Sequence, residues 1–321
     1  MAVTIPHTPL AIVGPTAAGK TALSLALCHL LAERYGVRAS VVNMDAMQLY
    51  RGMDIGTAKL TPSQREGIDH YLLDIWDVTE TASVATYQHL AVDTVTSLLA
   101  QSVVPVLVGG SMLYYQSLID NWQFPPTDPA VRKRLNSELD TSGLEPLWHR
   151  LQERDPHAAE IIQPHDERRI IRALEVMELT GQPFTASQPD RNGAPRWDTT
   201  IIGLATSPDW LNPRIDERTR RMFEAGLVEE TRRLVAAGLT PSSTAGRAIG
   251  YAQVLAMDAG ELSAEEAVEA TIVATRRYVR RQRAWFKRDP RIVWYDAATV
   301  ATDPLGTAQQ ILQNRECRGP N

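Results

Sequence analysis

Apolar residues in this chain gather in short unbroken runs, and longer stretches with helical spacing lie between the runs. Runs at residues 10–13, 39–43, 70–75, 103–108, 199–204 and 291–295 have strand length. They show little alternation with polar residues, as strands buried on both faces do. Helical periodicity covers residues 86–100, 144–153 and 166–180, the last closed by Gly181 and Pro183. A helix is expected over residues 213–237, with Arg214, Arg218, Arg220 and Arg221 in its first turns. Cations there oppose the helix dipole, so they are either solvated or serve a nearby anion. Ser263-Ala264-Glu265-Glu266 has the form of a capping box and opens a further helix through residues 271–288. The tail beyond Asp303 shows no clear pattern. Strands alternating with helices predict an α/β fold with a parallel sheet flanked by helices. The alternation stops between residues 121 and 198, which read as a mostly helical insertion. Residues 1–120 and 199–321 then form the core domain.

The first run leads into Gly14-Pro15-Thr16-Ala17-Ala18-Gly19-Lys20-Thr21 and then into good helix formers. Strand, G-x-x-x-x-G-K-T and helix in that order make a phosphate-binding loop. The glycines let successive N–H groups turn toward an anion, and the helix start adds its positive end. Lys20 supplies a charge for terminal phosphate oxygens and Thr21 a hydroxyl suited to Mg²⁺. The second run ends at Asp45, where ligands bind in open α/β sheets. A carboxylate there is open to two roles, Mg²⁺ ligand or proton acceptor. The fourth run ends in Gly109-Gly110-Ser111, which allows close approach of a ligand to the backbone.

The apolar fraction of 44% in 321 residues is ample for a core, and the net charge of −5 gives no bulk attraction to nucleic acid. Any such partner must meet local basic patches. One is Arg168-Arg169-Ile170-Ile171-Arg172. The other carries Arg276, Arg277, Arg280, Arg281, Arg283, Lys287 and Arg288, with Tyr278 and Trp285 interleaved and no acid. Arginines and aromatic rings together suit RNA phosphates and stacked bases. The two cysteines, Cys28 and Cys317, and the seven histidines lack metal-ligand spacing. No secretory leader or membrane-spanning run is apparent, so a cytoplasmic protein is expected, with no membrane partner.

Taken together, the motifs closely resemble the tRNA dimethylallyltransferase family over residues 10–290. The resemblance rests on GPTAAGKT at 14–21, Asp45-Ala46-Met47-Gln48 with Tyr50, MDIGTAK at 53–59, VGGSMLY at 108–114 and RALEV at 172–176. It continues through Gly226-Leu227 with Glu229-Glu230, Ile249-Gly250-Tyr251, and Thr275-Arg276-Arg277-Tyr278 with Arg281-Gln282 and Trp285. It implies a P-loop kinase-like core whose insertion meets the tRNA anticodon stem-loop. Dimethylallyl diphosphate is the implied donor, Mg²⁺ the cofactor, and N6 of adenosine 37, swung out of the stack, the acceptor. Asp45 corresponds to the general base. Thr16 and Arg218 correspond to groups on the diphosphate, with Arg214 the second choice for the arginine. Lys20 and Thr21 match the diphosphate and metal positions. Asp45, Ala46, Met47, Gln48, Ser111, Arg168, Arg169, Ile170, Ile171, Arg172, Arg247, Ala248, Ile249, Gly250, Tyr251, Arg280, Arg281, Gln282, Trp285 and Lys287 match tRNA-contacting segments. Lys59 is left without a role. Ala46, Ser111-Met112 and Ala252-Gln253 depart from the family pattern, which has serine, Thr-Gly and Lys-Glu there. With no C-terminal zinc finger, the chain resembles the bacterial form, and a monomer is expected.

Two other functions fit the same loop. A nucleoside or small-molecule kinase would use ATP, but it leaves the cationic helix unexplained. An adenylate isopentenyltransferase would accept free AMP or ATP, and has no use for a stem-loop-binding insertion.

Overall fold

The computed structural model describes residues 7–122, 124–187 and 193–316. Cys317 lies outside them. The chain divides into two compact units, Met1–Ile119 with Ala194–Asn321, and Asp120–Gly193.

The first unit holds a six-stranded sheet. Its strands are β1 (Leu10–Val13), β2 (Ala39–Asn43), β3 (His70–Tyr71), β4 (Val104–Gly109), β5 (Thr200–Ala205) and β6 (Val293–Asp296). Their order is β3-β2-β4-β1-β5-β6 and every pairing is parallel. Each of the six apolar runs therefore supplies a strand. The third is shorter than its run, because Leu72 and Asp74 turn to positive φ, at 60° and 56°, and leave the extended ladder. β1 is central, with Leu10 paired to Val106 on one side and Thr200 on the other.

Because side chains alternate along a strand, β1 feeds two cores. Leu10 and Ile12 join one cluster, and Ala11 and Val13 the other. The first is closed by α1 (Lys20–Tyr35), through Leu23, Leu27 and Leu31. The second is closed by α2 (Val84–Ala100) and α3 (Met112–Ile119), through Tyr87, Ala91, Tyr115 and Leu118. Fully burying an aliphatic side chain is worth about 1.5–3 kcal/mol, so a strand serving both clusters is firmly placed.

The second unit contains α4 (Pro129–Ser142), α5 (Glu145–Arg154), α6 (Pro156–Ile161) and α7 (Glu167–Thr180). Leu135, Leu147, Leu151, Ile170, Leu174 and Met177 form its core. Glu175 of α7 is buried. It accepts from Thr127 Oγ1 (2.7 Å), the Asp128 N–H (3.0 Å), Arg132 (2.7 Å) and Arg172 (2.8 Å). Burial alone would raise its pKa; the Arg132, Thr127 and Arg172 bonds outweigh that and hold it at about 2.

Back in the first unit come α8 (Pro208–Glu224), α9 (Leu227–Ala236), α10 (Tyr251–Asp258), α11 (Ala264–Phe286), α12 (Ala297–Thr302) and α13 (Pro304–Glu316). The single helix expected over 213–237 is two. Ser207 caps α8, whose first residue is Pro208, so Pro213 lies inside the helix instead of opening it. Gly226, at φ 101°, separates α8 from α9. Arg214, Arg218, Arg220 and Arg221 accordingly occupy the second and later turns of α8, away from the unfavourable helix start. The capping box on α11 forms: Ser263 Oγ accepts from the Glu266 N–H, and the Glu266 carboxylate from the Ser263 N–H. The tail is also helical. Asp296 caps α12, and α13 covers α1 through Ala308, Ile311 and Leu312, a spacing that the sequence does carry. Among the described residues no helix is long and apolar enough to cross a membrane.

Candidate active site

The phosphate loop joins β1 to α1. Gly14, Ala17 and Gly19 all have positive φ, at 146°, 62° and 96°. A Cβ on Gly14 would lie 3.2 Å from the Leu204 side chain, so glycine there answers both backbone and space. Lys20 Nζ donates to the carbonyls of Pro15 (2.8 Å) and Gly14 (3.1 Å). The cation is thus held over the loop.

Asp45 follows β2 in a tightly bonded turn. Its N–H donates to Asn43 Oδ1 (2.8 Å), and its Oδ1 accepts from the Met47 N–H (2.9 Å). Asn43 Nδ2 donates back to the Asp45 carbonyl (3.0 Å) and to that of Leu72 (2.9 Å). Ser111 Oγ accepts from the Ala46 N–H (3.0 Å) and ties this turn to the loop after β4.

These loops open on a cavity of about 360 Å³. Thr16, Lys20, Asp45, Ser111 and Arg218 all line it. Burial pushes the Lys20 ammonium down to about 8; the Asp45 carboxylate resists this, and the Arg218 guanidinium adds to it. Burial also lowers Arg218, again against Asp45. Two cations that are poorly solvated face one carboxylate, an arrangement that an entering polyanion would relieve. Tyr278, half-buried in the same cavity wall, is pushed up to about 12 by desolvation and stays neutral.

Beneath the lining residues Gly56 and Tyr251 lies a buried carboxylate. Glu230 of α9 accepts from the N–H groups of Ile55 (2.8 Å) and Gly56 (3.2 Å) and from the Tyr251 hydroxyl (2.6 Å). Gly56 is obligatory there, since a Cβ would come within 2.5 Å of the Tyr251 ring. Lys59, given no role by the sequence, is buried and donates to Asp54 (2.7 Å), Asp74 (2.6 Å) and the Tyr50 carbonyl (2.8 Å). It pins the same segment.

A family model described as IPP transferase matches residues 48–289. The tRNA dimethylallyltransferase of Corynebacterium diphtheriae is 60% identical over 293 residues, 91% of this chain and 95% of that protein. That of Mycobacterium tuberculosis is 56% identical over 301 residues, 92% and 94% of the two chains. The chain belongs to the tRNA dimethylallyltransferase family. The crystal structure of the tRNA isopentenylpyrophosphate transferase of Bacillus halodurans has 33% identity and a TM-score of 0.68, covering 97% of this chain and 98% of that one. A eukaryotic dimethylallyltransferase acting on tRNA, at 24% identity and a TM-score of 0.78, shares the fold over 98% of this chain and 80% of its own.

In this member of the tRNA dimethylallyltransferase family, the residues matched by motif do not all reach one surface. Ile170 and Ile171 are buried in the core of the second unit, and Arg172 is bonded to Glu175 and the carbonyls of Pro125 and Pro126. Of that patch, Arg168 and Arg169 are exposed. Gln282 is 2% exposed: its Oε1 accepts from the Thr16 N–H (3.2 Å) and its Nε2 donates to the Gly110 carbonyl (2.9 Å). It clamps two loops beneath the cavity instead of facing solvent. Tyr251 is wholly buried, and Ala248 nearly so. Trp285 packs against the core, and Arg276 pairs with Asp216. Arg277, Arg280, Arg281, Lys287 and Arg288 are exposed, and none pairs with a carboxylate among the described residues. Thr21 and Gln48 line a smaller neighbouring cavity, and Lys287 one behind Gly14 and Pro15. Arg214 lies over the Trp210 ring at 4.6 Å and donates to the Ala17 carbonyl (3.4 Å), outside the lining of the main cavity. Ala18 is buried beside α1, while Ala46, Met47, Arg247, Ile249 and Gly250 line the cavity. Motif matching left out Ile215, Thr219 and Met222 of α8 and Thr271 and Thr275 of α11. Helical spacing from Arg218 and Gln282 was the available signal.

Proposed function

We propose that this protein transfers a dimethylallyl group from dimethylallyl diphosphate to N6 of adenosine 37 of tRNA, releasing diphosphate. The observation that carries the reading is one cavity in which Asp45 faces Lys20 and Arg218 beside the phosphate loop. N6 attacks C1 of the donor, the C1–O bond breaks, and its electron pair leaves on diphosphate. The loop N–H groups, Lys20, Arg218 and Thr16 receive that growing charge. Asp45 accepts the proton that N6 loses.

Among the described residues no group of three or more His, Cys, Asp or Glu is placed to hold a metal ion. Mg²⁺ requires no such cluster, since it is commonly carried by phosphates with one or two protein oxygens. Thr21 would supply such an oxygen, and the ion would add positive charge at the leaving group. The tRNA would meet Arg168 and Arg169 in one unit and the exposed cations of α11 in the other. Incubation with dimethylallyl diphosphate and unmodified tRNA, followed by mass spectrometry of adenosine 37, tests the reading. Label from ATP on a small acceptor, with none from the donor on tRNA, would return the kinase alternative.

Two further results are expected. Arg280→Ala should weaken tRNA binding and reduce the salt slope by about one, as loss of one phosphate contact does, with pyrophosphate affinity retained. An unaltered slope would remove Arg280 from the interface. Pyrophosphate affinity should also depend on Lys20. Only its cationic form attracts the anion, so affinity holds below about 8 and falls as pH rises through it. The fall approaches tenfold per pH unit above that point until the bound-state pKa is reached. Calorimetry at neutral and alkaline pH reads this directly, and a flat profile would contradict it.

A further inference from the structure

One side chain ties the phosphate loop to the segment that carries Asp45. Gln282 of α11 is buried; its Oε1 accepts from the Thr16 N–H (3.2 Å) while its Nε2 donates to the Gly110 carbonyl (2.9 Å). One partner is a donor and the other an acceptor, so the amide fits in a single orientation. The fit leaves no slack. A Cβ on Gly110 would lie 2.3 Å from Gln282 Nε2 and 3.0 Å from the Gly14 carbonyl. The Tyr278 hydroxyl also reaches the Gly110 carbonyl, but only at 3.4 Å.

The connection does not stop at Gly110. Ser111 follows it in the chain, and Ser111 Oγ accepts from the Ala46 N–H (3.0 Å), next to Asp45. Thr16, Gly110, Ser111, Asp45 and Gln282 all line the cavity. One amide therefore stands between the loop that would hold the leaving group and the turn that holds the proposed base. It also engages the Thr16 N–H, so the hydroxyl is the Thr16 group left for the leaving oxygen.

We infer that Gln282 is a positioning residue for the transfer, one that fixes the spacing between Thr16 at the leaving-group end and Asp45 at the base end. The inference rests on the proposed prenyl transfer and adds a residue to its machinery. N6 must give its proton to one end while C1 releases diphosphate at the other. The reacting atoms have to approach within about 3–3.5 Å, and a misplacement of about 1 Å costs about 100-fold in rate. Loss of the clamp frees the two loops from each other. It slows the chemical step and spares the binding of each substrate, because the exposed cations of α11 and the charges of the phosphate loop are untouched.

Gln282→Met removes both bonds at similar volume. Single-turnover transfer at saturating tRNA and dimethylallyl diphosphate should slow by about 100-fold. The Kd values for tRNA and for pyrophosphate should stay level with the parent's. Gln282→Asn keeps the amide but is one methylene too short to bridge both loops, so it should slow transfer in the same way. In an Asp45→Asn background the base is already gone, and Gln282→Met should then add far less than it does alone, since residues that act as a unit are not additive. A general loss of packing would instead multiply the two effects. Parental rates in both the methionine and asparagine variants would overturn the inference, as would full multiplication in the double variant. A fall confined to tRNA affinity would overturn it too and return Gln282 to the RNA contacts. The asparagine variant, the milder change, keeps the test decisive should Gln282→Met fold poorly. A parent protein that transfers no dimethylallyl group to tRNA would instead strike the function proposed above.

Discussion

Asp45→Asn should lower the rate of transfer by about 10²–10⁴-fold, the range that general base catalysis supplies. The substitution keeps an oxygen for the Met47 N–H, so the turn that Asn43 braces should persist. What disappears is the acceptor for the N6 proton. A second effect accompanies it. The Asp45 carboxylate supports the charge on Lys20 and Arg218, so its loss moves the alkaline fall in pyrophosphate affinity to lower pH. Single-turnover rates and binding isotherms separate the two. Recovery of the rate by added Mg²⁺ would reassign Asp45 from base to metal ligand, and an undiminished rate would remove it from the chemistry.

Glu230→Ala should destabilise the protein by about 3–5 kcal/mol, the cost of breaking a buried charged network. The half-buried Ile55 and Gly56 N–H groups and the buried Tyr251 hydroxyl would lose their shared acceptor. Each unsatisfied group costs about 1–3 kcal/mol. For a unit of this size the melting temperature should fall by about 6–20 °C. Gly56 and Tyr251 line the cavity, so that part of the lining should loosen with it. A melting temperature that stays level with the parent's would show that the network is dispensable.

Glu230 also shows why motifs far apart in the chain belong together. MDIGTAK, the Glu229-Glu230 pair and Ile249-Gly250-Tyr251 are legible as separate signatures, yet nothing in any of them says that they meet. In the structure they converge on one carboxylate. The cationic run of α11 teaches the same lesson in reverse. Its sequence shows seven equivalent charges, whereas Arg276 is tied to Asp216 and five others face solvent. Gln282, grouped by motif with the RNA contacts, is held by the phosphate loop.

Features that near neighbours dictate could be read directly from the chain: six apolar runs that became strands, the capping box of α11, and a phosphate loop whose parts lie within a few residues of one another. Backbone dihedrals, caps and periodicity act over a few turns at most, so adjacent residues already carry that information. Long-range packing alone made Thr16 bond a glutamine 266 residues away, set α8 and α11 as walls of one cavity, and brought Arg218 to Lys20 and Asp45. Those pairings depend on the order in which the strands assemble, and a side chain's identity does not encode its distant neighbour.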